Sequence, residues 1–320
     1  MTAPVLAGLD LGGTKIGVCL GDETGKVIAA ARLATQAEAS PEPQLRYCIQ
    51  QFREMEAKTS LAAPAALGIA APGPLDPQKG CLLEVPNMPA WQGFPLRDFL
   101  ADHLACPVNM ANDANASVLA EAYWGAAQDV DNAVFLTMST GMGAGLLLDR
   151  RVYEGQLCMA GEIGHIRLSE DGPVGFGKAG SVEGYLSGPG MVQVALAEAL
   201  ACRQRGEKTE IPKDASRWRT EDFLALARKG DPAALRALDR IGAKLGQLAA
   251  LLADLLNPDV LILGTIGSAH LDLFEPRLRR VLDQEALPQT AAHLQIRPSG
   301  LSDRGNQTAL ALARQQLWYE

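Results

Sequence analysis

The chain opens with the stretch that decides its fold, Val5-Leu6-Ala7-Gly8-Leu9-Asp10-Leu11-Gly12-Gly13-Thr14-Lys15. Residues 5–11 are apolar apart from one carboxylate and predict a buried strand, and residues 12–15 predict a tight turn directly after it. Further strands are predicted over residues 16–20 and 27–31, because the Gly and Asp content of residues 21–26 is typical of a hairpin. The first unit is therefore a strand, a glycine turn, a strand, a hairpin turn and a strand.

The same order of elements recurs in the middle of the chain. Residues 134–138 predict a strand, residues 146–148 and 152–153 predict two more, and between them lies a second glycine turn, Ser139-Thr140-Gly141-Met142-Gly143-Ala144-Gly145. Such an internal repeat implies duplicated α/β lobes facing each other across a cleft, with both glycine turns around one nucleotide. We predict an α/β protein with a smaller domain of residues 1–115 plus a C-terminal helix at about 304–320, and a larger domain of residues 116–303.

Apolar periodicity predicts the remaining elements. Helices are predicted at residues 45–55, after the polar residues 112–115, at 235–255 and at 308–317, and strands at 65–70, 108–111 and 260–263. Two segments predict rigid or glycine-rich turns, Pro72-Gly73-Pro74-Leu75-Asp76 and Gly264-Thr265-Ile266-Gly267. Residues 41–43 and 203–218 predict surface loops or a weakly helical excursion from the fold.

Composition argues against several classes of partner. The net charge of −8 opposes binding to nucleic acid, which requires a concentrated surface of Lys and Arg. The six cysteines have no close pairs, which predicts reduced thiols and neither disulfides nor a Cys-x-x-Cys metal site. No apolar stretch has the length of a membrane span, and residues 5–9 lack the basic flank and length of a secretory signal. We therefore expect a cytoplasmic protein that binds neither nucleic acid nor membrane.

Asp10 is a candidate magnesium ligand. An unpaired carboxylate within an apolar strand is costly to bury unless a cation or hydrogen bonds hold it. Magnesium suits this position, because proteins usually hold it by one or two carboxylates together with nucleotide phosphates. The alternative is a carboxylate that accepts hydrogen bonds from the amides of the adjacent turn.

Asn112-Asp113 stands where a predicted strand gives way to a helix. Either side chain could simply cap that helix. However, an Asp at the carboxyl end of a parallel strand points into the crevice where open α/β sheets bind ligands. There it could accept a hydroxyl proton during phosphoryl transfer.

The segment Gly161-Glu162-Ile163-Gly164-His165 has two polar side chains three residues apart among small neighbours. This spacing predicts a loop or short helix that presents both side chains to a ligand. Zinc is a rival interpretation, but a Glu-x-x-His pair without a nearby Cys or second His lacks the ligands for a tetrahedral site. A structural histidine is the other alternative.

Four of these motifs resemble those of the ROK family, a group of bacterial sugar kinases and sugar-responsive repressors that includes many glucokinases. They are Asp10-Leu11-Gly12-Gly13-Thr14-Lys15, Asn112-Asp113-Ala114-Asn115-Ala116, Ser139-Thr140-Gly141-Met142-Gly143-Ala144-Gly145 and Ala160-Gly161-Glu162-Ile163-Gly164-His165. The resemblance covers nearly the whole chain and implies an actin-like pair of ribonuclease H-type domains. It also implies ATP-dependent phosphorylation of a hexose at its primary hydroxyl, with ATP and Mg²⁺ as cofactors, by a homodimer.

The same resemblance implies the residues of the site. Asp113 corresponds to the catalytic base. Sugar contacts are expected of Gly73, Asn87, Asn112, Asp113, Glu162, His165 and Glu183. Nucleotide or magnesium contacts are expected of Asp10, Gly12, Gly13, Thr14, Lys15, Thr140, Gly141, Gly143 and Gly264.

Two segments depart from the family's pattern. Most members have a zinc-binding Cys-x-Cys-Gly-x-x-Gly-Cys run where this chain reads Val174-Gly175-Phe176-Gly177-Lys178-Ala179-Gly180-Ser181. We therefore expect no zinc despite His165, and we expect packing, with Phe176 as a candidate, to hold the loop that carries Glu183. Gly264-Thr265 replaces the family's usual paired glycines, at the adenosine side of the nucleotide site.

The resemblance leaves the substrate open, with glucose as the first expectation and N-acetylmannosamine, N-acetylglucosamine, fructose and allose as alternatives. A sugar-sensing transcriptional repressor is the rival function. Such a repressor needs a DNA-reading module ahead of the first glycine turn, but nine residues precede Asp10 and the chain is acidic. A sugar-binding protein without catalysis is the third possibility.

Overall fold

The structure, a computed structural model, describes residues 3–85, 87–214 and 218–318. The chain forms two compact units. The first contains the residues up to Asp129, then Gly145–Ala160, and the residues from Gly300 onward; the second contains Val130–Ala144 and Gly161–Ser299. Helix Asp113–Trp124, which the predicted boundary after residue 115 would cut, lies wholly in the first unit.

The strands are β1 (Leu6–Leu11), β2 (Lys15–Gly21), β3 (Val27–Ala34), β4 (Ala66–Ala71), β5 (Leu75–Asp76), β6 (Cys81–Leu82), β7 (Val108–Asn112), β8 (Ala133–Met138), β9 (Met142–Leu148), β10 (Arg151–Val152), β11 (Val174–Gly175), β12 (Lys178–Ala179), β13 (Val260–Leu263) and β14 (Gln295–Pro298). The helices are α1 (Pro41–Thr59), α2 (Leu96–Leu104), α3 (Asp113–Trp124), α4 (Val182–Leu186), α5 (Gly188–Gln204), α6 (Thr220–Arg228), α7 (Pro232–Leu256), α8 (Thr265–Ala269), α9 (Leu271–Glu285), α10 (Pro288–His293) and α11 (Arg304–Trp318). No helix in the described part of the chain combines the length and apolarity needed to span a bilayer.

The first unit is built on a five-stranded sheet of order β3-β2-β1-β4-β7. Strands β1, β4 and β7 are parallel, whereas β2 pairs antiparallel with both β1 and β3. One face of the sheet packs on a core that contains the fully buried Phe52 of α1 and the fully buried Trp91. Helix α11 covers the other face.

A glycine seam, formed by Gly8 and Gly68, brings α11 close to the sheet. The two glycines lie opposite each other in the parallel pair of β1 and β4. A Cβ added at Gly68 would lie 2.0 Å from the carbonyl oxygen of Ala309, and one at Gly8 would lie 2.9 Å from the Cβ of Ala309. Side chains at these two positions would therefore push the helix away from the strands.

In the second unit, β8, β13 and β14 are parallel, with Ala133 opposite Val260 and Val260 opposite Gln295. The long helix α7 packs on α9, where a Cβ added at Gly246 would lie 2.6 Å from the Cβ of Val281.

In the first unit, the end of β9 pairs antiparallel with β10, and Leu148 lies opposite Arg151.

Most predicted elements are present within a few residues of their predicted bounds, but two predictions are wrong. For residues 41–43 the helical alternative is the correct one, since they are the first turn of α1, where a proline suits the first positions of a helix. The glycine-rich turn predicted at residues 264–267 is instead the start of α8, with Gly264 as its N-cap. The second glycine turn is shorter than predicted, since β9 already begins at Met142.

The predicted excursion at residues 203–218 is partly helical at its start, where Arg203 and Gln204 complete α5. Ile211 is buried and thus lies inside the fold, contrary to a simple surface loop. Residues 215–217 of this excursion lie outside the described residues.

Candidate active site

The carboxyl edge of the first sheet brings five predicted site residues together. In the parallel register, Asp10 lies opposite Ala70, Ala70 lies opposite Ala111, and Asn112 pairs with the residue after Ala70. Gly12, Gly73 and Asp113 follow the ends of β1, β4 and β7 within two residues, and these strands are neighbours. This edge is where open α/β sheets bind ligands.

Asn112, and not Asp113, is the residue that caps the helix after β7. Asn112 is the N-cap of α3, and its Oδ1 accepts a hydrogen bond from the backbone N–H of Asn115 at 2.7 Å. Asp113 is the first residue of the helix, and its side chain is exposed. The cap thus fixes the start of α3 and with it the position of the Asp113 carboxylate, next to a helix N-terminus that favours negative charge.

The first glycine turn, residues 12–15, is anchored by hydrogen bonds. The N–H of Gly12 donates to the carbonyl of Lys15 at 3.0 Å. Thr35, at the end of β3, donates from its Oγ1 to the carbonyl of Gly12 at 2.6 Å and from its N–H to the carbonyl of Thr14 at 3.0 Å. Thr14 and Lys15 are exposed. Sequence reasoning missed Thr35, because only the pairing of β2 with β3 brings it to the turn.

Asn87 lies against this turn. A Cβ added at Gly13 would lie 3.1 Å from the Cβ of Asn87, so the two segments are in close contact. The segment after Asn87 is fixed by Trp91, whose N–H donates to the carbonyl of Met88 at 3.1 Å and whose Nε1–H donates to the carbonyl of Gln36 at 3.2 Å. The exposed Asn87 side chain is therefore held beside the first glycine turn.

The Asp10 carboxylate lies beside the first turn of α11. A Cβ added at Gly305 would lie 2.5 Å from Asp10 Oδ2. Burial raises the pKa of Asp10 above its ordinary value, although the charges of Lys15, Arg304 and Arg32 act in the opposite direction. The ionised form is thus costly for the folded protein, as expected of a carboxylate kept for a cation.

These residues fit a magnesium ion that arrives with a nucleotide. The described residues contain no group of three or more His, Cys, Asp or Glu side chains that could hold a metal by themselves. A single carboxylate is nevertheless sufficient when phosphate oxygens and waters supply the remaining ligands. The half-buried Asp10, one residue before the end of β1, meets that requirement.

Glu183 is tied to the second glycine turn in the second unit. Its Oε2 accepts a hydrogen bond from the N–H of Met142 at 3.2 Å, and a Cβ added at Gly141 would lie 3.1 Å from the same oxygen. The N–H of Gly143 donates to Thr137 Oγ1 at 3.0 Å, while Thr140 is exposed. The turn is therefore held by side chains on both sides, and a glycine at position 141 leaves room for the carboxylate.

The segment with Glu162 and His165 packs on the start of β9. A Cβ added at Gly164 would lie 2.3 Å from the carbonyl oxygen of Met142, and the N–H of Ala144 donates to the carbonyl of Gly161 at 2.9 Å. Residues Ile163–His165 form a short 3₁₀ helix, as the sequence predicted, and both polar side chains are exposed. The two glycines thus serve close packing, and the packing places both side chains near the second glycine turn.

Gly264 is required by packing. A Cβ there would lie 2.5 Å from Phe135 Cζ and 2.9 Å from the carbonyl oxygen of Leu136. Its predicted contact with the adenosine stays a prediction. Thr265, in place of the family's second glycine, has a φ of 40°, which is unusual for a β-branched residue.

Sequence reasoning also missed Ser181, which is buried and caps α4, the helix that carries Glu183. The Oγ of Ser181 accepts a hydrogen bond from the N–H of Gly184 at 3.0 Å. A Ser before a short run that contains Glu is a helix-start signal and could have indicated this cap.

Comparisons with known proteins extend over nearly the whole chain. A family model described as ROK family matches residues 6–316. The glucokinase of Thermotoga maritima is 31% identical over 280 residues, 87% of this chain and 87% of that protein. The xylose repressor of Caldicellulosiruptor bescii is 27% identical over 308 residues, 93% of this chain and 75% of the repressor.

A solved structure of similar shape is a ROK family glucokinase from Streptomyces griseus in complex with glucose and AMPPNP. It is 29% identical, with a TM-score of 0.74, over 97% of this chain and 99% of that chain. This match confirms the predicted fold class, an α/β protein of the actin-like type with two ribonuclease H-like domains.

Proposed function

Since this chain belongs to the ROK family, we propose that it transfers a phosphoryl group from ATP to the primary hydroxyl of a hexose. Glucose is the leading candidate, and N-acetylmannosamine, N-acetylglucosamine, fructose and allose are the alternatives. The observation that carries the proposal is the exposed Asp113 carboxylate, at the carboxyl edge of three parallel strands and the same edge as the first glycine turn.

The chemistry of this transfer consists mainly of positioning and charge stabilisation. Asp113 accepts the proton of the attacking hydroxyl, and α3 keeps its carboxylate in place through the Asn112 cap. Because the N–H of Gly12 already donates to Lys15, phosphate is contacted by the following residues of the turn and by the exposed Lys15 ammonium group. Magnesium, held by Asp10 when it binds with the nucleotide, supplies further neutralisation of phosphate charge.

Sugar selection depends on hydrogen bonds to the hydroxyl groups. We assign these contacts to Asn87, Asn112, Glu162, His165 and Glu183, with the Gly73 loop beside them. Support comes from the exposure of Glu162 and His165 and from the hydrogen bonds that hold the Glu183 loop. Polar groups held in place around a sugar discriminate strongly between sugars, because a sugar that lacks the matching hydroxyl leaves such a group unpaired.

Asp113→Asn tests the proposal. Removing a general base should lower kcat by about 10²-fold or more, with little change in the affinity for sugar. The assay measures the release of ADP from ATP in the presence of each of the five sugars named above. The control is Asp102→Asn, which changes an exposed carboxylate of α2. Near-normal turnover of Asp113→Asn with its best sugar would remove the assignment.

A second candidate function, a sugar-responsive regulator, is motivated by the similarity to a xylose repressor. The net charge of −8 speaks against contact with DNA. The same assay separates the two, because a regulator would bind a sugar without releasing ADP from ATP. Calorimetric binding of a sugar together with no sugar-dependent ADP release would favour the regulator.

A further inference from the structure

The loop that lacks the family's cysteines folds as a hairpin, residues 173–181. Strands β11 and β12 pair antiparallel, with Val174 opposite Ala179, and Phe176 and Gly177 form the two-residue turn between them. Both turn residues have positive φ, 46° for Phe176 and 73° for Gly177. Such a turn favours Asn or Gly at both positions.

Phe176 is therefore an unfavourable residue for its own backbone. A bulky side chain at positive φ costs conformational energy, and Phe176 is 63% exposed, so burial in a core does not offset the cost. What the ring does contact is the imidazole of His165, with centroids 5.0 Å apart and an interplanar angle of 89°. Edge-to-face contact of this kind is favourable for aromatic pairs.

The hairpin also contacts the backbone of His165 and the helix that carries Glu183. Lys178 Nζ donates to the carbonyl of His165 at 2.8 Å. The Oγ of Ser181 donates a hydrogen bond to the carbonyl of Lys178 at 3.1 Å. The same oxygen accepts a hydrogen bond from the N–H of Gly184 and thereby caps α4. One short hairpin thus contacts both the ring and the backbone of His165 and is joined to the α4 cap.

A zinc ion does not fit this segment. Residues 172–181 contain no cysteine, and the described residues contain no cluster of three His, Cys, Asp or Glu side chains that could hold a metal. The hairpin is held instead by its strand pairing and by Gln193, whose amide donates to the carbonyl of Val174 at 2.8 Å and accepts its N–H at 2.9 Å.

We propose that the 173–181 hairpin is a metal-independent clip, and that Phe176 is a positioning residue whose ring holds the His165 imidazole in the orientation required for sugar binding. This proposal rests on the proposed function, because it takes His165 to be a sugar contact. Its physical content is preorganisation, because a ring already fixed in place loses less freedom when the sugar binds.

Phe176→Asn separates the ring contact from the fold. The substitution creates an Asn-Gly pair, the preferred sequence for this turn, so the hairpin should be at least as stable as before. We expect an unchanged or higher melting temperature, yet a KM for the best sugar about two- to tenfold higher, the range expected from the loss of one aromatic pair. Phe176→Tyr should retain the wild-type KM, as should the control Val174→Thr, which changes an exposed residue of the same hairpin.

A second measurement, by NMR, tests the contact between Phe176 and His165 without an enzyme assay. The Cε1–H signal of the His165 imidazole, assigned by its loss in His165→Gln, should shift in Phe176→Asn and not in Val174→Thr, because the neighbouring ring current disappears. A shift in a protein without kinase activity would support the clip and count against the proposed function. An unmoved His165 signal in Phe176→Asn, a wild-type sugar KM in an active Phe176→Asn enzyme, or one zinc per chain in the purified enzyme would overturn the clip.

Discussion

Asp10 shows, at the scale of a single residue, a cost to stability that its proposed magnesium role would explain. Its carboxylate is half-buried, and burial raises its pKa despite three nearby cations. A carboxylate whose pKa is raised by folding lowers the stability of the folded protein once the pH exceeds its ordinary value, near 3.8. Costs of this kind are typical of residues retained for binding.

Asp10→Asn should therefore be more stable than the wild type at neutral pH and should bind Mg-ATP more weakly. The stability gain should be small near pH 4 and increase as the pH rises, because only the wild type acquires the unfavourable charge. Urea unfolding between pH 4 and pH 7 and titration with Mg-ATP measure both effects.

Asp76 provides a control of opposite sign for Asp10→Asn. The N–H groups of Lys79 and Gln78 donate to its carboxylate and, with the Lys79 charge, hold its pKa below the ordinary value. Asp76→Asn should therefore lose stability at neutral pH. A stability gain in Asp10→Asn that is the same at all pH values would contradict the assignment of the effect to the charge.

Thr265 is the second residue with a local cost, since a β-branched side chain at a φ of 40° is strained. Thr265→Gly should raise the free energy of unfolding by about 1 kcal/mol, the relief of strain minus the extra entropy of the glycine in the unfolded chain. Thr265→Ala, which keeps a Cβ, should give no such gain. Urea unfolding measures both, and a loss of stability in Thr265→Gly would show that the conformation is not strained.

At the scale of elements, the glycine seam determines how closely α11 packs on β1 and β4. Gly68→Ala places a Cβ 2.0 Å from the carbonyl oxygen of Ala309 and should lower the free energy of unfolding by about 3 kcal/mol, at the upper end of the usual range for overpacking. The control is Gly206→Ala, which has a φ of 76° and open surroundings and should cost about 1 kcal/mol. Equal stability of the two variants in urea would argue against a close contact between α11 and β4.

The elements themselves were largely predictable, whereas their contacts were not. Apolar periodicity was sufficient for β1, β13 and α7, because each of them buries a continuous stripe or run. Gly8 and Gly68 could not be paired from the sequence, since their contact depends on the register of β1 with β4 and on the path of α11. The sequence suggested that packing of Phe176 holds the loop of Glu183, but Phe176 is largely exposed and its contact with His165 emerges only from the folded hairpin.

The candidate site was likewise predictable only in part. The motifs located Asp113 and the glycine turns, because strand ends and glycines are visible in a sequence. They could not show that Asn112 caps α3 while Asp113 remains exposed, nor that Glu183 accepts the N–H of Met142. Those facts depend on helix starts and side-chain directions, which a single sequence does not determine.

At the scale of the whole molecule, the chain passes between its two units four times. From the family resemblance we propose that it functions as a homodimer. Light scattering of the purified protein should then give twice the chain mass of 33.9 kDa at micromolar concentration. A mass of one chain under those conditions would contradict the proposal.

The strands of the glycine seam and the helix α11 that covers them lie far apart along the chain, which affects the order in which they fold during synthesis. Strands β1 and β4 leave the ribosome long before α11, the helix that covers their glycine-lined face and spans Arg304–Trp318. That face therefore stays exposed to water until α11 has been synthesised. During this time it is a surface for chaperones or for other nascent chains to occupy.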